Sequence, residues 1–169
     1  MATSQSDGPG FAYVFFMEME GVLTFKSEIK GGKLSGLRPV SGMADLIQEL
    51  TVPFTIMSVG DMMVQCTKFS RLAVPSTLIT SIDLTGKHKA FKGIMARKKL
   101  IPKRVLVISD LGADIAFANA LGCYTLKASF SGPSPTALTA EMAKLNLFNV
   151  ADFREFLHNE DMLRPIPRY

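Results

Sequence analysis

Short apolar runs alternate with amphipathic segments along most of this 169-residue chain. The runs are rich in β-branched and aromatic residues and are bounded by Gly, Pro or polar residues, which is typical of buried strands. These predicted strands cover residues 13–17, 54–58, 77–84, 104–109 and 123–127. Apolar residues recur at helical spacing in the segments between and after them, which predicts helices over 39–50, 62–72, 87–99, 115–121, 136–145 and 150–158.

Strands that alternate with helices predict the α/β class. We expect a three-layer, Rossmann-like parallel sheet of about five strands with helices on both faces. A separate pattern at 25–37, with short segments on either side of Gly31-Gly32, predicts a β-hairpin. Residues 1–10 are predicted to be a flexible lead-in, 11–158 the folded domain, and the proline-containing 159–169 an extended tail.

Polar side chains collect where the predicted strands end. Glu18 and Glu20 follow the first strand, and while the backbone stays extended their spacing points both to the same side. Ser58 ends the second strand, and Asp110 and Asp114 follow the fourth. Ligands of parallel sheets bind at the carboxyl ends of the strands, so these side chains form the candidate site. Carboxylates hold hard cations and a hydroxyl group can orient a bound group, so the set is chemically coherent.

Two segments carry a resemblance to a known family. Residues 13–24, Y-V-F-F-M-E-M-E-G-V-L-T, resemble the first motif of the haloacid dehalogenase (HAD) superfamily of phosphohydrolases. Residues 105–122, V-L-V-I-S-D-L-G-A-D-I-A-F-A-N-A-L-G, resemble its fourth motif, with Ser109 where the family usually has Gly. The resemblance covers residues 13–127 and leaves no room for the cap domain that many members insert.

The resemblance implies a role for each candidate residue. In active members the first acid attacks phosphorus and the second is general acid and base, roles that fall here on Glu18 and Glu20. Ser58 and Lys87, with Lys89 as the alternative to Lys87, would bind the phosphate. The Mg²⁺ ion of the family would be held by Glu18, Asp110 and Asp114.

The family has Asp at both positions of the first motif, whereas this chain has Glu. A Glu side chain reaches roughly 1.5 Å farther than Asp, and a misplacement of about 1 Å can cost on the order of 100-fold in rate. Our leading hypothesis is therefore a catalytically impaired HAD-like domain with a vestigial Mg²⁺ site, acting as a structural or accessory subunit of a larger assembly. The alternative is an active Mg²⁺-dependent phosphomonoesterase with Glu18 as nucleophile.

Composition adds expectations about partners and compartment. Hydrophobic residues make up 47% of the chain, which suits a protein that also buries surface against a protein partner. The net charge of +4 comes from Lys and Arg spread through the chain, with local concentrations within 87–104 that predict a solvated helix face or, as the weaker alternative, a nucleic-acid contact. The sequence shows no membrane span, signal peptide or transit peptide, so we expect an intracellular protein, cytoplasmic or mitochondrial. Cys66 and Cys123 lie in apolar segments, which predicts buried free thiols.

Overall fold

The computed structural model describes residues 10–25, 28–30, 33–35, 38–74, 76, 78–130 and 143–165. The lead-in at 1–9, the end of the tail at 166–169 and most of the helix predicted over 136–145 lie outside these residues.

A six-stranded parallel sheet organises the described part of the chain. In chain order the strands are β1 (Tyr13–Phe16), β2 (Glu28–Lys30), β3 (Lys33–Ser35), β4 (Phe54–Val59), β5 (Leu78–Ser81), β6 (Val105–Ser109), β7 (Tyr124–Ala128) and β8 (Leu145–Leu147). The sheet order is β5-β4-β1-β6-β7-β8, while β2 and β3 form the predicted antiparallel hairpin. The predicted α/β fold class is confirmed, with β8 as an additional strand.

Strand β8 corrects the prediction of a helix that ends at residue 145. Leu145 pairs with Leu126 of β7, and the Lys144 N–H donates to the Thr125 carbonyl at 3.0 Å. A strand of three residues is too short to show an alternating pattern. Strand β8 is held in place by pairing with β7, on the side of β7 that β6 does not occupy.

Five α-helices cover the two faces of the sheet in the described residues: α1 (Met43–Gln48), α2 (Met62–Leu72), α3 (Leu84–Arg97), α4 (Gly112–Leu121) and α5 (Val150–Asn159). Val14 and Phe16 of β1 share one apolar core with residues of α1, α2 and α5. Phe15 belongs to a second core with residues of α3 and α4. This alternation is the period of two expected of a strand buried on both sides. No helix in the described ranges is long and apolar enough to cross a membrane.

Three helix starts differ from prediction, and one of them is that of α4, which begins at Gly112 rather than at residue 115. Helix α1 begins at Met43 rather than at Pro39, because Pro39 pairs with Thr24 in an isolated bridge and the chain turns at Gly42, where φ is 79°. Helix α3 begins at Leu84, where the Asp83 side chain accepts a hydrogen bond from the Gly86 N–H at 2.7 Å. The predicted strand over 77–84 therefore ends at Ser81.

Helix α2 presents an unusual inner face. Its buried residues are Gln65, Lys68 and Leu72, so two polar side chains point toward the sheet. Cys66 lies on the exposed face, so the prediction that both cysteines are buried holds for Cys123 and is wrong for Cys66.

No cap domain interrupts the described residues. From residue 25 to residue 83 they contain the hairpin, α1, β4, α2 and β5. Beyond α5 the chain returns to α1, where Leu163 pairs with Leu50 and the Thr51 N–H donates to the Met162 carbonyl at 2.9 Å. The carboxyl edge of the sheet is thus left without a covering domain in this part of the chain.

Candidate functional site

The register of the sheet brings three predicted site residues to one level. Phe16 of β1 pairs with Ile56 of β4 on one side and with Ile108 of β6 on the other. Two positions beyond these residues, in the same order, stand Glu18, Ser58 and Asp110. The chain adds strands on one side of β1 and then on the other, so β1 and β6 flank the switch point where open α/β sheets bind ligands.

The loop after β1 turns back on itself within a few residues. The Met19 carbonyl accepts hydrogen bonds from the N–H groups of Leu23 at 2.8 Å and Thr24 at 3.0 Å. Gly21 has φ of 81°, a left-handed conformation that favours glycine. Strand β1 ends at Phe16, so the extended backbone that would point both glutamates the same way stops before them.

Lys87 lies at the centre of the site and is fully buried. Its Nζ atom donates to the Met17 carbonyl at 2.6 Å and to Asp114 Oδ2 at 2.7 Å, and it lies 3.4 Å from Glu18 Oε2. Lys89, the alternative considered from the sequence, is exposed. Lys87, rather than Lys89, is therefore the lysine that contacts the acidic residues. Because it is buried, it does not belong to the basic surface formed by neighbouring residues.

Asp114 is also fully buried, and both of its carboxylate oxygens have protein partners. Besides Lys87, Oδ2 accepts a hydrogen bond from Ser109 Oγ at 2.7 Å. The other oxygen, Oδ1, lies 2.8 Å from His88 Nε2, and the His88 ring stacks on Phe117 at a centroid distance of 4.2 Å. The His88 side chain is only 13% exposed. Asp114 is thus the shared acceptor of an internal network.

The Glu18 carboxyl group is buried and bent back toward its own backbone. Its Oε1 atom accepts a hydrogen bond from the Met19 N–H at 3.2 Å. Burial raises the pKa of Glu18 from 4.5 to about 7; the Lys87 ammonium opposes this shift, and the carboxylates of Asp114 and Asp110 add to it. A carboxyl group with this pKa carries its proton about half of the time at pH 7.

Glu20 forms an ion pair with Lys68 of α2. The Lys68 side chain is 3% exposed, and burial lowers its pKa, an effect that the Glu18 carboxylate opposes. Helices α2 and α3 pack on opposite faces of the sheet, so the two glutamates contact lysines that arrive from opposite sides. Sequence reasoning missed Lys68, although its spacing from Leu72 places both on one helix face.

Ser58 is fully buried within β4. Its Oγ atom has no hydrogen-bond partner among the residues that the structure describes. A buried hydroxyl group without a partner is costly, which makes Ser58 the one predicted phosphate ligand whose bonding capacity is not used inside this part of the protein.

The Mg²⁺ ion implied by the resemblance does not fit these acids as they are arranged. Within the described ranges, no three or more His, Cys, Asp and Glu side chains are grouped so that they could hold a metal ion. Mg²⁺ requires near-octahedral oxygen ligands, whereas the oxygens of Asp114 are bound by Lys87, Ser109 and His88. The predicted ligand set of Glu18, Asp110 and Asp114 is therefore not assembled as a cation site.

Comparison with solved structures identifies the fold. Over 90% of its length the chain is similar to the whole of a conserved haloacid dehalogenase-like protein of unknown function from Agrobacterium tumefaciens, with a TM-score of 0.67 and 16% identity. Over 76% of its length it is similar to 63% of a HAD family hydrolase from Deinococcus radiodurans, solved with bound phosphate and sodium, with a TM-score of 0.63 and 21% identity. No protein-family model and no curated protein matches the sequence. The chain therefore has the haloacid dehalogenase-like fold, as its motifs had implied.

Proposed function

We propose that this chain is a HAD-like domain without phosphatase activity that serves as a structural or accessory subunit of a larger assembly. One observation carries the proposal: Glu20, the residue that the resemblance makes general acid and base, is held in an ion pair by the buried Lys68 of the same chain. A side chain held in this way is not poised to transfer protons during attack on a phosphate ester.

Each catalytic role meets a specific obstacle. A nucleophile at position 18 would have to be ionised, and burial opposes this by raising the pKa of Glu18 to about 7. A general acid and base at position 20 would have to exchange protons with substrate and water, yet Glu20 is ion-paired with Lys68. The longer glutamate side chains add the misplacement expected from the sequence.

An activity assay tests the loss of catalysis. We expect the wild-type protein to hydrolyse an aryl phosphate in the presence of Mg²⁺ no faster than Glu18→Gln does, because Glu18 delivers no attack on phosphorus. The measurement is the release of the phenolate at several enzyme concentrations. Turnover by the wild type that disappears in Glu18→Gln would contradict the proposal.

The accessory role is supported by apolar residues at the carboxyl edge of the sheet. Four large apolar side chains are exposed where the chain leaves β4, β5 and β6, two of them in the first turn of α2 and two in the turns after β5 and β6. They are Met62, Met63, Ile82 and Leu111, with exposures of 66%, 80%, 94% and 38%. Exposed apolar residues at one edge are typical of surfaces that bind other proteins. A partner protein seated there would cover the candidate site in place of a cap.

The native size of the protein tests this surface. In extracts of cells that produce the chain, we expect the wild type to migrate as part of an assembly and the double variant Met63→Asp, Ile82→Asp to migrate as the free chain. The matched control is Ile101→Asp, which changes an apolar residue with 59% exposure at the opposite, amino-terminal edge of the sheet. A wild type that migrates as the free chain, or equal effects of both changes, would contradict the role of this surface.

The phosphomonoesterase alternative retains one supporting observation. The buried Ser58 Oγ atom has no hydrogen-bond partner within the described residues and could donate to a phosphate oxygen. In this alternative Glu18 attacks phosphorus, Glu20 transfers protons, and Lys87 neutralises charge. The activity assay decides between the two functions.

A further inference from the structure

Lys68 is a buried charge that the family resemblance does not account for. It extends from the inner face of α2, its side chain is 3% exposed, and it pairs with Glu20. Removing an ammonium group from water is costly and is tolerated only where opposite charge and hydrogen bonds replace the water. A buried ammonium group at this position therefore requires negative charge close by, which Lys68 balances.

That negative charge is present at the carboxyl edge of the sheet. The carboxyl groups of Asp114 and Asp110 act electrostatically on that of Glu18, and Glu20 stands two residues farther along the same loop. Lys87, on α3, forms ion pairs with Glu18 and Asp114. Lys68 reaches the same edge from the α2 side, where it pairs with Glu20 and interacts electrostatically with Glu18.

We propose that the Lys68 ammonium group takes the place of a divalent cation at this carboxylate cluster, so that the site is neutralised by the chain itself and does not take up Mg²⁺. The inference rests on the proposed function, because a site of this kind lacks the Lewis acid of a phosphatase. A cation attached to the backbone has an effective concentration in the millimolar range or above, with which a free ion must compete. The absence of a three-ligand metal group in the described residues agrees with this assignment.

The first test is a titration of the wild-type protein with Mn²⁺, which accepts the same oxygen ligands as Mg²⁺ and is detected by electron paramagnetic resonance. We expect no stoichiometric binding in the low millimolar range. Binding of one Mn²⁺ per chain at sub-millimolar Kd, lost in Asp110→Asn, would overturn the proposal.

The second test removes the tethered cation. Lys68→Met keeps most of the length of the side chain and deletes its charge, and we expect it to bind Mn²⁺ at least about tenfold more tightly than the wild type. The control is Arg71→Met, which removes an exposed positive charge from the same helix and should leave Mn²⁺ binding unchanged. No gain in Lys68→Met, or an equal gain in both variants, would overturn the proposal. If Lys68→Met does not fold, Lys68→Gln replaces it, and if neither folds the wild-type titration decides alone.

The outcomes separate this inference from the proposed function. Metal-independent hydrolysis of an aryl phosphate by the wild type would contradict the proposed function and leave the role of Lys68 intact. Tight Mn²⁺ binding without hydrolysis would contradict the role of Lys68 and leave the proposed function intact.

Discussion

Replacing Lys87 with Met should destabilise the protein by about 3 to 5 kcal/mol, the usual cost of removing one partner from a buried ion pair. The fully buried Asp114 carboxylate would lose its closest cation, and the Met17 carbonyl would lose a donor at 2.6 Å. Ser109 and His88 would still contact Asp114, but neither carries the permanent charge of a lysine. The expected loss is a large share of the about 5 to 15 kcal/mol typical of a domain. Urea denaturation monitored by circular dichroism measures it.

Two further variants show whether the loss comes from the ion pair. Lys89→Met, an exposed position on the same helix, should leave the denaturation midpoint unchanged. Combining Lys87→Met with Asp114→Asn should cost less than the sum of the two single changes, because the second change removes the charge that the first leaves unpaired. Additive effects, or an unchanged midpoint in Lys87→Met, would contradict the importance of this pair.

The central strands and the position of the site follow from the sequence for a simple physical reason. A strand covered by helices on both faces must be apolar at nearly every position, so β1 and β6 appear as continuous apolar runs. The polar residues at their ends then mark the edge of the sheet, because parallel strands all finish on the same side. The order of these apolar runs indicated that the polar residues lie at one edge of the sheet. The register between β1 and β6 adds that Glu18 and Asp110 lie at the same height along it.

The lysine contacts could not be predicted in the same way. Whether Lys68 is buried depends on how α2 packs across the sheet, and a lysine next to apolar residues in an amphipathic helix is usually exposed. His88 is covered because Phe117 of α4 stacks on its ring, a contact between distant parts of the chain. The acidic residues could be located at the strand ends from the sequence alone. Their ion pairs with lysines from opposite faces of the sheet could be identified only from the structure.

The same network predicts that the stability of the protein falls as pH rises from about 4.5 to about 7. In the unfolded chain Glu18 has its ordinary pKa of 4.5, whereas burial raises the pKa in the folded protein to about 7. Between these values the folded protein binds a proton that the unfolded chain has released, so stability decreases as pH increases and levels off above pH 7. The contribution of Glu18 amounts to about 3 kcal/mol at most. Denaturation midpoints at pH 5 and pH 8 measure the decrease.

Glu18→Gln isolates this contribution from that of every other titrating group, including the nearby Lys87, Asp114, Asp110 and Lys68. A glutamine resembles the protonated carboxyl group at all pH values, so the variant should match the wild type near pH 5 and exceed its stability at pH 8. The difference between the two proteins should therefore grow with pH through the window from about 4.5 to about 7. A difference that stays constant, or that favours the wild type at pH 8, would show that the Glu18 carboxylate is stabilised in the folded protein. It would also remove the strongest electrostatic argument against Glu18 as a nucleophile, because an ionised carboxylate beside Lys87 is what the phosphatase alternative requires.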